Sequence, residues 1–469
     1  MTLRTRTSLC TVLLGFVAGG AMADNFAVTN TADSGEGSFR AAMEAASAAS
    51  GDHTIVVQAD GNIAIGSPLS YSGAGALSIF GQGQTISGGN HNLLEVTSGA
   101  DLTVSDLTFD GPGGFSIENR GDQSGTAGKG IFVKVDAAQT GTVSMTLNDV
   151  TVSNVANHGI HVSDCNLADD CGGGSGGAGG GSAASIMVML NNVTVDTAGQ
   201  GKFDADGLRV DERDEGSIMA TILNSTFTRV GADGVELDEG QAGDVIVKSV
   251  GSSFIDNGDY CDPGLLEAFM PAEPEGEFDE GTTQEDAIPG PITGTPDDTC
   301  IERAVDLYDD GSVEEYEFAI DTDDAFDVDE AGEGSIIAEV TNATITGNFD
   351  EGLDYDEEDA GNIQMTILGS NASGNSDDGF KHSEEGEGSV IFFVADSTST
   401  ENGGKGFVFE EEDGGDVNGS VVGVSTASND DSDDTGLELV QDDDGAGVVT
   451  VAASDIADGI DDEGIDLVE

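Results

Sequence analysis

Residues 352–378 read GLDYDEEDAGNIQMTILGSNASGNSDD, and residues 379–405 read GFKHSEEGEGSVIFFVADSTSTENGGK. Each stretch opens with glycine, followed by a triplet whose first and third side chains are apolar or aromatic. The same opening recurs at Gly159, Gly207, Gly234, Gly352, Gly379, Gly406, Gly436 and Gly464. A degenerate copy without the glycine begins at Phe326. Steps of about 27 residues between neighbouring copies indicate an internal repeat.

One repeat contains three short apolar runs separated by turns. The first run is the triplet, the second follows an acidic turn, and the third is rich in Thr, Val and Asn. Apolar and polar residues alternate with a period of two, which is typical of strands rather than helices. A unit this small cannot bury its own apolar face, whereas stacked units bury a continuous core. A propeller needs four strands per blade and a longer period, so the step favours a three-strand solenoid.

The repeat predicts an all-β parallel β-helix of ten or more coils from about residue 53 to the C-terminus. In this register Val210, Leu237 and Leu353 point inward, and their neighbours Arg209, Glu236 and Asp354 point outward.

The N-terminal part of the repeat region predicts a strand and one helix within residues 24–52. Ser38–Ala49 is rich in alanine, with apolar side chains at Phe39, Ala42, Met43 and Ala46. Such a helix covers the exposed strand edges at the end of a solenoid.

The same N-terminal stretch resembles a known family. The stretch VTNTADSGEGSFRAAM, beginning at Val28, resembles the opening of many secreted bacterial right-handed parallel β-helix proteins of the pectin-lyase-like superfamily. The resemblance implies a right-handed parallel β-helix (three-strand solenoid) with a short N-terminal capping helix. It implies no single activity, because that fold carries lyases, hydrolases, adhesins and inert surface proteins.

The charge balance excludes two classes of partner. The 469 residues carry 14 basic and 91 acidic side chains, with a formal net charge of −77. Nucleic-acid binding needs basic clusters, and anionic membrane surfaces attract the same clusters. The hydrophobic fraction of 37% still allows a core.

Residues 1–23 have the features of a secretory signal peptide. Arg4 and Arg6 precede an apolar run that is too short to span a membrane, and Ala21-Met-Ala23 is a cleavage site. We therefore expect a secreted protein, extracellular or at the cell surface, with the periplasm as an alternative.

Four cysteines remain after the leader, and three pairings are open to them. Local pairing favours Cys165–Cys171 and Cys261–Cys300, because each pair brackets an irregular insertion. We place these insertions at about 163–184 and 261–300.

Acidic residues recur at equivalent turn positions of successive repeats. In a parallel solenoid such positions stack about 4.8 Å apart, so like charges repel along the rows. Either a saline medium screens these rows, or Ca²⁺ bridges oxygens of neighbouring coils. The predicted metal ligands are Asp211, Glu212, Asp238, Glu239, Asp329, Glu330, Asp356, Glu357, Asp359, Glu384 and Glu411.

Motifs for catalysis are scarce. The chain has no Arg-x-Lys of the polygalacturonase type, no recognisable lyase motif and no G-x-S-x-G, H-E-x-x-H or phosphate loop. His158 and His161 are the most interesting outward side chains, although two polar residues on a half-exposed strand explain them more simply.

On this basis we expect a non-catalytic, cation-binding surface or matrix protein. Its expected partners are divalent cations, with extracellular polysaccharide or another copy of the chain at the open C-terminal end as further candidates. The alternative is a polysaccharide-active β-helix enzyme, either a lyase or a glycoside hydrolase. A basic residue beside carboxylates on one strand face would favour the enzyme, and Arg209 and Lys381 are the outward bases in the first-strand column.

Overall fold

The structure is a computed structural model that describes residues 24–115, 128–165, 181–289, 300–308, 310–429, 435–441 and 445–468. The predicted leader at 1–23 lies outside this part of the chain. Cys171 does too, so the Cys165–Cys171 pairing stays a prediction. No helix within the described residues is long and apolar enough to cross a membrane.

Three faces of parallel strands wind around one core, which confirms the predicted right-handed β-helix. The first face holds the repeated triplets and, among the described residues, has twelve strands. These are β4 (Leu69–Tyr71), β6 (Leu94–Val96), β8 (Ile131–Lys134), β10 (Ile160–Ser163), β13 (Leu208–Glu212), β16 (Val235–Glu239), β22 (Phe326–Gly332), β25 (Asp354–Asp359), β28 (Lys381–Gly386), β31 (Phe407–Glu411), β34 (Leu437–Gln441) and β37 (Ile460–Glu463).

The second face follows the acidic turn of each coil. Its strands are β1 (Asp24–Val28), β2 (His53–Val57), β5 (Leu77–Ser87), β7 (Leu102–Asp110), β9 (Thr140–Ser153), β11 (Ala183–Asn191), β14 (Ile218–Leu223), β17 (Asp244–Val250), β23 (Ser335–Thr341), β26 (Asn362–Leu368), β29 (Ser389–Ala395), β32 (Val417–Val422), β35 (Val448–Ala452) and β38 (Asp466–Val468).

The third face has the shortest strands, and the long strands β5, β7 and β9 extend into it. Its own strands are β3 (Ile63–Ala64), β12 (Thr194–Asp196), β15 (Thr226–Thr228), β18 (Ser253–Ile255), β24 (Thr344–Thr346), β27 (Asn371–Ser373), β30 (Thr398–Thr400), β33 (Ser425–Ala427) and β36 (Asp455–Ile456).

The helix predicted at the N-terminal end is present as α1 (Phe39–Ala48). Ser38 caps it, since its hydroxyl oxygen accepts a hydrogen bond from the backbone N–H of Ala41 at 3.2 Å. Phe39, Ala42 and Met43 are buried on its inner side, as the apolar pattern predicts. The helix therefore covers the first coils.

The register of the core confirms the predicted alternation. Val210 pairs with Leu237 and Leu237 pairs with Val328, and all three side chains are fully buried. The degenerate copy at Phe326 thus belongs to the stack as β22.

An insertion leaves the stack after β18 and returns at β22. It contains α2 (Pro263–Leu266), α3 (Gln284–Ala287) and an antiparallel sheet of β19 (Glu275–Glu277), β20 (Ile301–Leu307) and β21 (Val313–Ile320). It is wider than the predicted 261–300, because the hairpin β20–β21 also lies outside the coil. The predicted disulfide between Cys261 and Cys300 is confirmed.

A column of asparagines runs inside the stack beside the third face, and we call it the asparagine column. Its members are at most 2% exposed: Asn257, Asn348, Asn375, Asn402 and Asn429. The side-chain amide of each donates to the side-chain oxygen of the next, at 2.8–3.0 Å. An amide carries both donors and acceptors, so stacked copies satisfy one another.

Candidate functional site

Arg209 lies at the centre of a group of charged side chains on the outer side of the first face. It is 1% exposed. Its Nε donates to Asp211 at 2.7 Å, its Nη1 reaches Asp204 at 3.2 Å, and it also pairs with Glu236 and, at 3.4 Å, Asp238. Parallel register brings these together, because Arg209 pairs with Glu236 and Asp211 pairs with Asp238 in adjacent strands.

A second part of the site comes from the preceding coils. His161 pairs with Arg209 in the ladder. The ammonium of Lys129 lies 2.6 Å from His161 Nδ1, and His161 Nε2 lies 2.7 Å from Asp211 Oδ2. The Lys129 ammonium also stands 4.7 Å from the ring centre of Phe132. Lys129, His161 and Asp211 thus form one hydrogen-bonded chain that ends on the carboxylate bound by Arg209.

The second histidine packs behind the first. The rings of His158 and His161 are 4.6 Å apart, and His158 Nδ1 accepts from the backbone N–H of Asp206. Asp206 also lies 3.5 Å from Arg209. Both histidines are 1% exposed, so the simpler expectation of a half-exposed strand position is wrong for them. We call Lys129, His158, His161, Asp204, Asp206, Arg209, Asp211, Glu236 and Asp238 the Arg209 cluster.

Burial and neighbouring charges separate the proton affinities within the cluster. Burial, reinforced by the charge of Lys129, lowers the pKa of His161 to about 3, so the imidazole is neutral. Burial would raise the pKa of Asp211, but Arg209 and the His161 hydrogen bond hold it well below its usual range. Burial raises the pKa of Glu236 and of Asp238 well above the ordinary values, against the pull of Arg209. A carboxyl group with a lowered pKa therefore adjoins two whose pKa values are raised.

The predicted metal ligands divide into two sets with different environments. Asp211, Asp238, Asp329 and Asp356 continue along the outer side of the first face. Asp359 is exposed at the end of β25. The glutamates Glu212, Glu239, Glu330, Glu357, Glu384 and Glu411 are at most 1% exposed. The expectation that all of them form solvated turn rows is wrong for these six, which we call the glutamate column.

Carboxylates within the Arg209 cluster and beside it are close enough together to hold a hard cation. Oxygen atoms of Asp204, Asp206 and Glu236 lie within 4.8 Å of one another. The same spacing holds for Glu236 with Asp327 and Asp329. Oxygen ligands in such groups suit Ca²⁺.

Several members of the Arg209 cluster were missed from the sequence. Asp204 and Asp206 precede the Gly207 triplet and were not assigned. Lys129 precedes Gly130-Ile-Phe-Val133, a further copy of the glycine and triplet. That pattern was the available signal for Lys129.

No family model matches the chain, and no curated protein matches it. Several solved structures are similar to it, among them the following three. A pectate lyase matches at 14% identity over 95% of this chain and 80% of its own, with a TM-score of 0.39. A periplasmic alginate epimerase matches at 7% identity over 89% and 76%, with a TM-score of 0.40. The enzymatically active domain of a bacteriophage tailspike matches at 11% identity and a TM-score of 0.40, over 84% of this chain and 47% of its own length.

These likenesses concern the fold alone, and the parallel strand pairings of the chain themselves show the β-helix. The expectation of a non-catalytic surface or matrix protein is wrong. The feature that would favour an enzyme, a basic residue beside carboxylates on one strand face, is present at Arg209.

Proposed function

We propose that this protein is a polysaccharide-active enzyme that cleaves glycosidic bonds by acid–base catalysis at the Arg209 cluster. One arrangement carries the proposal: Arg209 contacts both Asp211, whose pKa it holds well below the usual range, and Glu236, whose pKa burial raises. Pairs of titratable groups whose pKa values are pushed apart are the usual basis of acid and base roles in one site.

Glycoside hydrolysis needs those two roles. A protonated carboxylic acid donates to the leaving oxygen, and a carboxylate either attacks the sugar or activates water. We assign the acid role to Glu236 and the carboxylate role to Asp211. Arg209 contacts both side chains and positions them, at 2.7 Å from Asp211 Oδ1.

The Lys129–His161 pair supports the same assignment. A neutral His161 that accepts a hydrogen bond from Lys129 at Nδ1 carries its own proton on Nε2. The Nε2–H group then donates a hydrogen bond to Asp211. That bond fixes the orientation of the carboxylate and keeps it ionised. Because the cluster is shielded from water, these interactions act in a low dielectric, and substrate binding has to expose them.

The charge of the chain favours a neutral polysaccharide as substrate. With a net charge of −77, the protein repels a polyuronate at long range. A neutral glucan or xylan meets no such barrier.

The test is a polysaccharide panel. Purified protein is incubated with neutral glucans, xylan, pectate and alginate, and new reducing ends are measured. We expect cleavage of a neutral member. Asp211→Asn and Glu236→Gln should lower kcat at least a hundredfold, in line with the contribution of a general acid or base, whereas Glu44→Gln on exposed α1 should leave it unchanged. Absence of any cleavage by the wild-type protein would refute the proposal.

A second candidate, a lyase, is favoured by one contact. The Lys129 side chain lies against a neutral imidazole, and a lysine that has given up its proton is the kind of base that abstracts a proton next to a uronate carboxylate. A lyase creates an unsaturated sugar that absorbs ultraviolet light, and a hydrolase does not. The product from pectate or alginate therefore separates the two candidates.

We also propose that the protein acts outside the cytoplasm, on the strength of the predicted leader and the Cys261–Cys300 disulfide. N-terminal sequencing of protein recovered from the medium or periplasm should begin at Asp24. A retained Met1 would contradict this.

A further inference from the structure

The glutamate column lies where the first face turns into the second, inside the wall of the solenoid. In their ionised form both carboxylate oxygens of Glu330, Glu357 and Glu384 lack a hydrogen-bond partner, although these side chains are at most 1% exposed; a proton shared between neighbouring carboxyl groups would provide one. A buried carboxylate without a partner carries a large desolvation cost. Some positive charge or proton therefore has to offset the column.

Comparison with the asparagine column shows why stacked carboxylates need such an offset. Stacked amides donate to one another, as Asn348 does to Asn375 at 2.8 Å. Stacked carboxylates have only acceptors, and neighbours about 4.8 Å apart repel. The strongest charged neighbours of Glu330 and Glu384 are other carboxylates. Burial raises the pKa of Glu239, which lies near the N-terminal end of the column, and the positive charge of Arg213 opposes this rise.

A row of glycines forms a second wall beside the column. A Cβ at Gly334 would stand 1.7 Å from the carbonyl oxygen of Gly243 and 2.1 Å from Glu330 Oε1. At Gly361 the corresponding distances are 1.8 Å to the Gly334 carbonyl oxygen and 2.2 Å to Glu357 Oε1. Carbonyl and carboxylate oxygens thus lie close together beside each of these glycines, where any side chain would collide with them. Each coil repeats a cradle lined by oxygen.

We propose that the glutamate column is a row of calcium sites, with each ion held between carboxylates of successive coils and flanked by glycine carbonyls. An ion midway between carboxylates about 4.8 Å apart lies about 2.4 Å from each. Calcium–oxygen distances are about 2.3–2.6 Å, with flexible geometry and six to eight ligands. Magnesium needs about 2.0–2.1 Å and a near-ideal octahedron, which this spacing does not provide. The ions would join neighbouring coils, whatever reaction the outer side of the face performs.

The chain offers a matched pair of variants. The test variant changes Glu357, Glu384 and Glu411 to Gln. The control variant changes the residues that directly follow them, Glu358, Glu385 and Glu412, to Gln, and so removes the same charge outside the column. A glutamine fits the column, because Gln441 occupies the equivalent position in the next coil and accepts from Val417 N at 2.9 Å.

The experiment uses full-length protein treated with chelator. Calcium chloride is titrated by calorimetry and equilibrium dialysis, and melting is compared with sodium chloride at equal ionic strength. We expect two or more calcium ions per chain and a calcium-specific rise in Tm. Both should be retained by the control and reduced or lost in the test variant. Circular dichroism checks folding, and Glu357→Gln alone replaces the triple change if that variant does not fold.

Three outcomes would overturn the proposal. Calcium and sodium could prove equivalent, which would leave only charge screening. The wild-type protein could bind no calcium, which would mean that shared protons neutralise the column. The control could lose as much calcium as the test variant, which would place the ions on the outer carboxylates.

Discussion

Replacing Asn375 by alanine tests whether the asparagine column stabilises the stack. Asn375 Oδ1 accepts from Asn348 Nδ2 at 2.8 Å and from the Asn348 backbone N–H at 3.2 Å, and its own amide donates to Asn402 Oδ1 at 3.0 Å. The change removes these three bonds. Asn348 Nδ2 keeps a hydrogen bond to Phe254 O at 3.4 Å. The backbone N–H of Asn348 is buried and is left without its acceptor, Asn375 Oδ1. A net value of about 1 kcal/mol for each of the three bonds, plus about 1–3 kcal/mol for one buried unpaired amide, gives a loss of about 4–6 kcal/mol.

The assay is urea unfolding, with Asn371→Ala as the control. Asn371 lies four positions earlier on β27, half-exposed, and its replacement should cost less than about 1 kcal/mol. Solenoids can unfold in parts, so amide hydrogen exchange supplies a local readout, and exchange of the Asn348 amide should accelerate. Equal losses in the two variants, with unchanged exchange at Asn348, would show that the column is not a source of stability.

Three further predictions concern the core, the insertion and a buried acid. Leu237→Asp should cost several kcal/mol in urea unfolding, because it buries a charge at a fully buried position; a loss under about 1 kcal/mol would mean that the register is wrong. Changing Cys261 and Cys300 together to serine should destabilise the insertion by about 4 kcal/mol and speed its cleavage by thermolysin, and unchanged cleavage would contradict this. Burial raises the pKa of Glu351 to about 10, above its unfolded value of about 4.3, so its contribution to stability is lost as pH rises between these values. The free energy of unfolding of Glu351→Gln, relative to that of the wild-type protein, should therefore rise by up to about 1.4 kcal/mol per pH unit. A difference in unfolding free energy that stays constant between pH 5 and 9 would refute the prediction.

The fold was predictable because a solenoid repeats one local pattern. The period of two identified strands, and the step of about 27 residues set the register that the pairing of Val210 with Leu237 confirms. The end of the insertion was not predictable, because Val313–Ile320 alternates apolar and polar residues as a coil strand does. Only its antiparallel pairing with Ile301–Leu307 shows that it lies outside the stack.

The candidate site was predictable in part. Arg209 and His161 stand out as rare bases on repeated triplets, but Lys129 is 32 residues from His161, and only the stacking of coils brings them together. The glutamate column was misplaced for another reason. Glu212 is two positions after inward-facing Val210, so the alternation points it inward, whereas its charge suggested exposure.

The scarce positive charges bear on the choice of substrate. Lys129, Arg209 and Arg213 are at most 3% exposed, and they bind His161 or buried carboxylates, so they do not neutralise the surface or attract a polyanion to it. The proposed enzyme therefore would not attract its substrate at long range, and substrate binding would depend on contacts with neutral sugar groups. At 0.1 M, salt screens the interactions between exposed charges that lie more than about 10 Å apart, so it should stabilise the acidic surface while leaving kcat/KM on a neutral polysaccharide almost unchanged. A polyuronate would behave differently, because screening would weaken its repulsion and raise kcat/KM. The salt dependence of kcat/KM thus distinguishes the hydrolase from the lyase independently of the products.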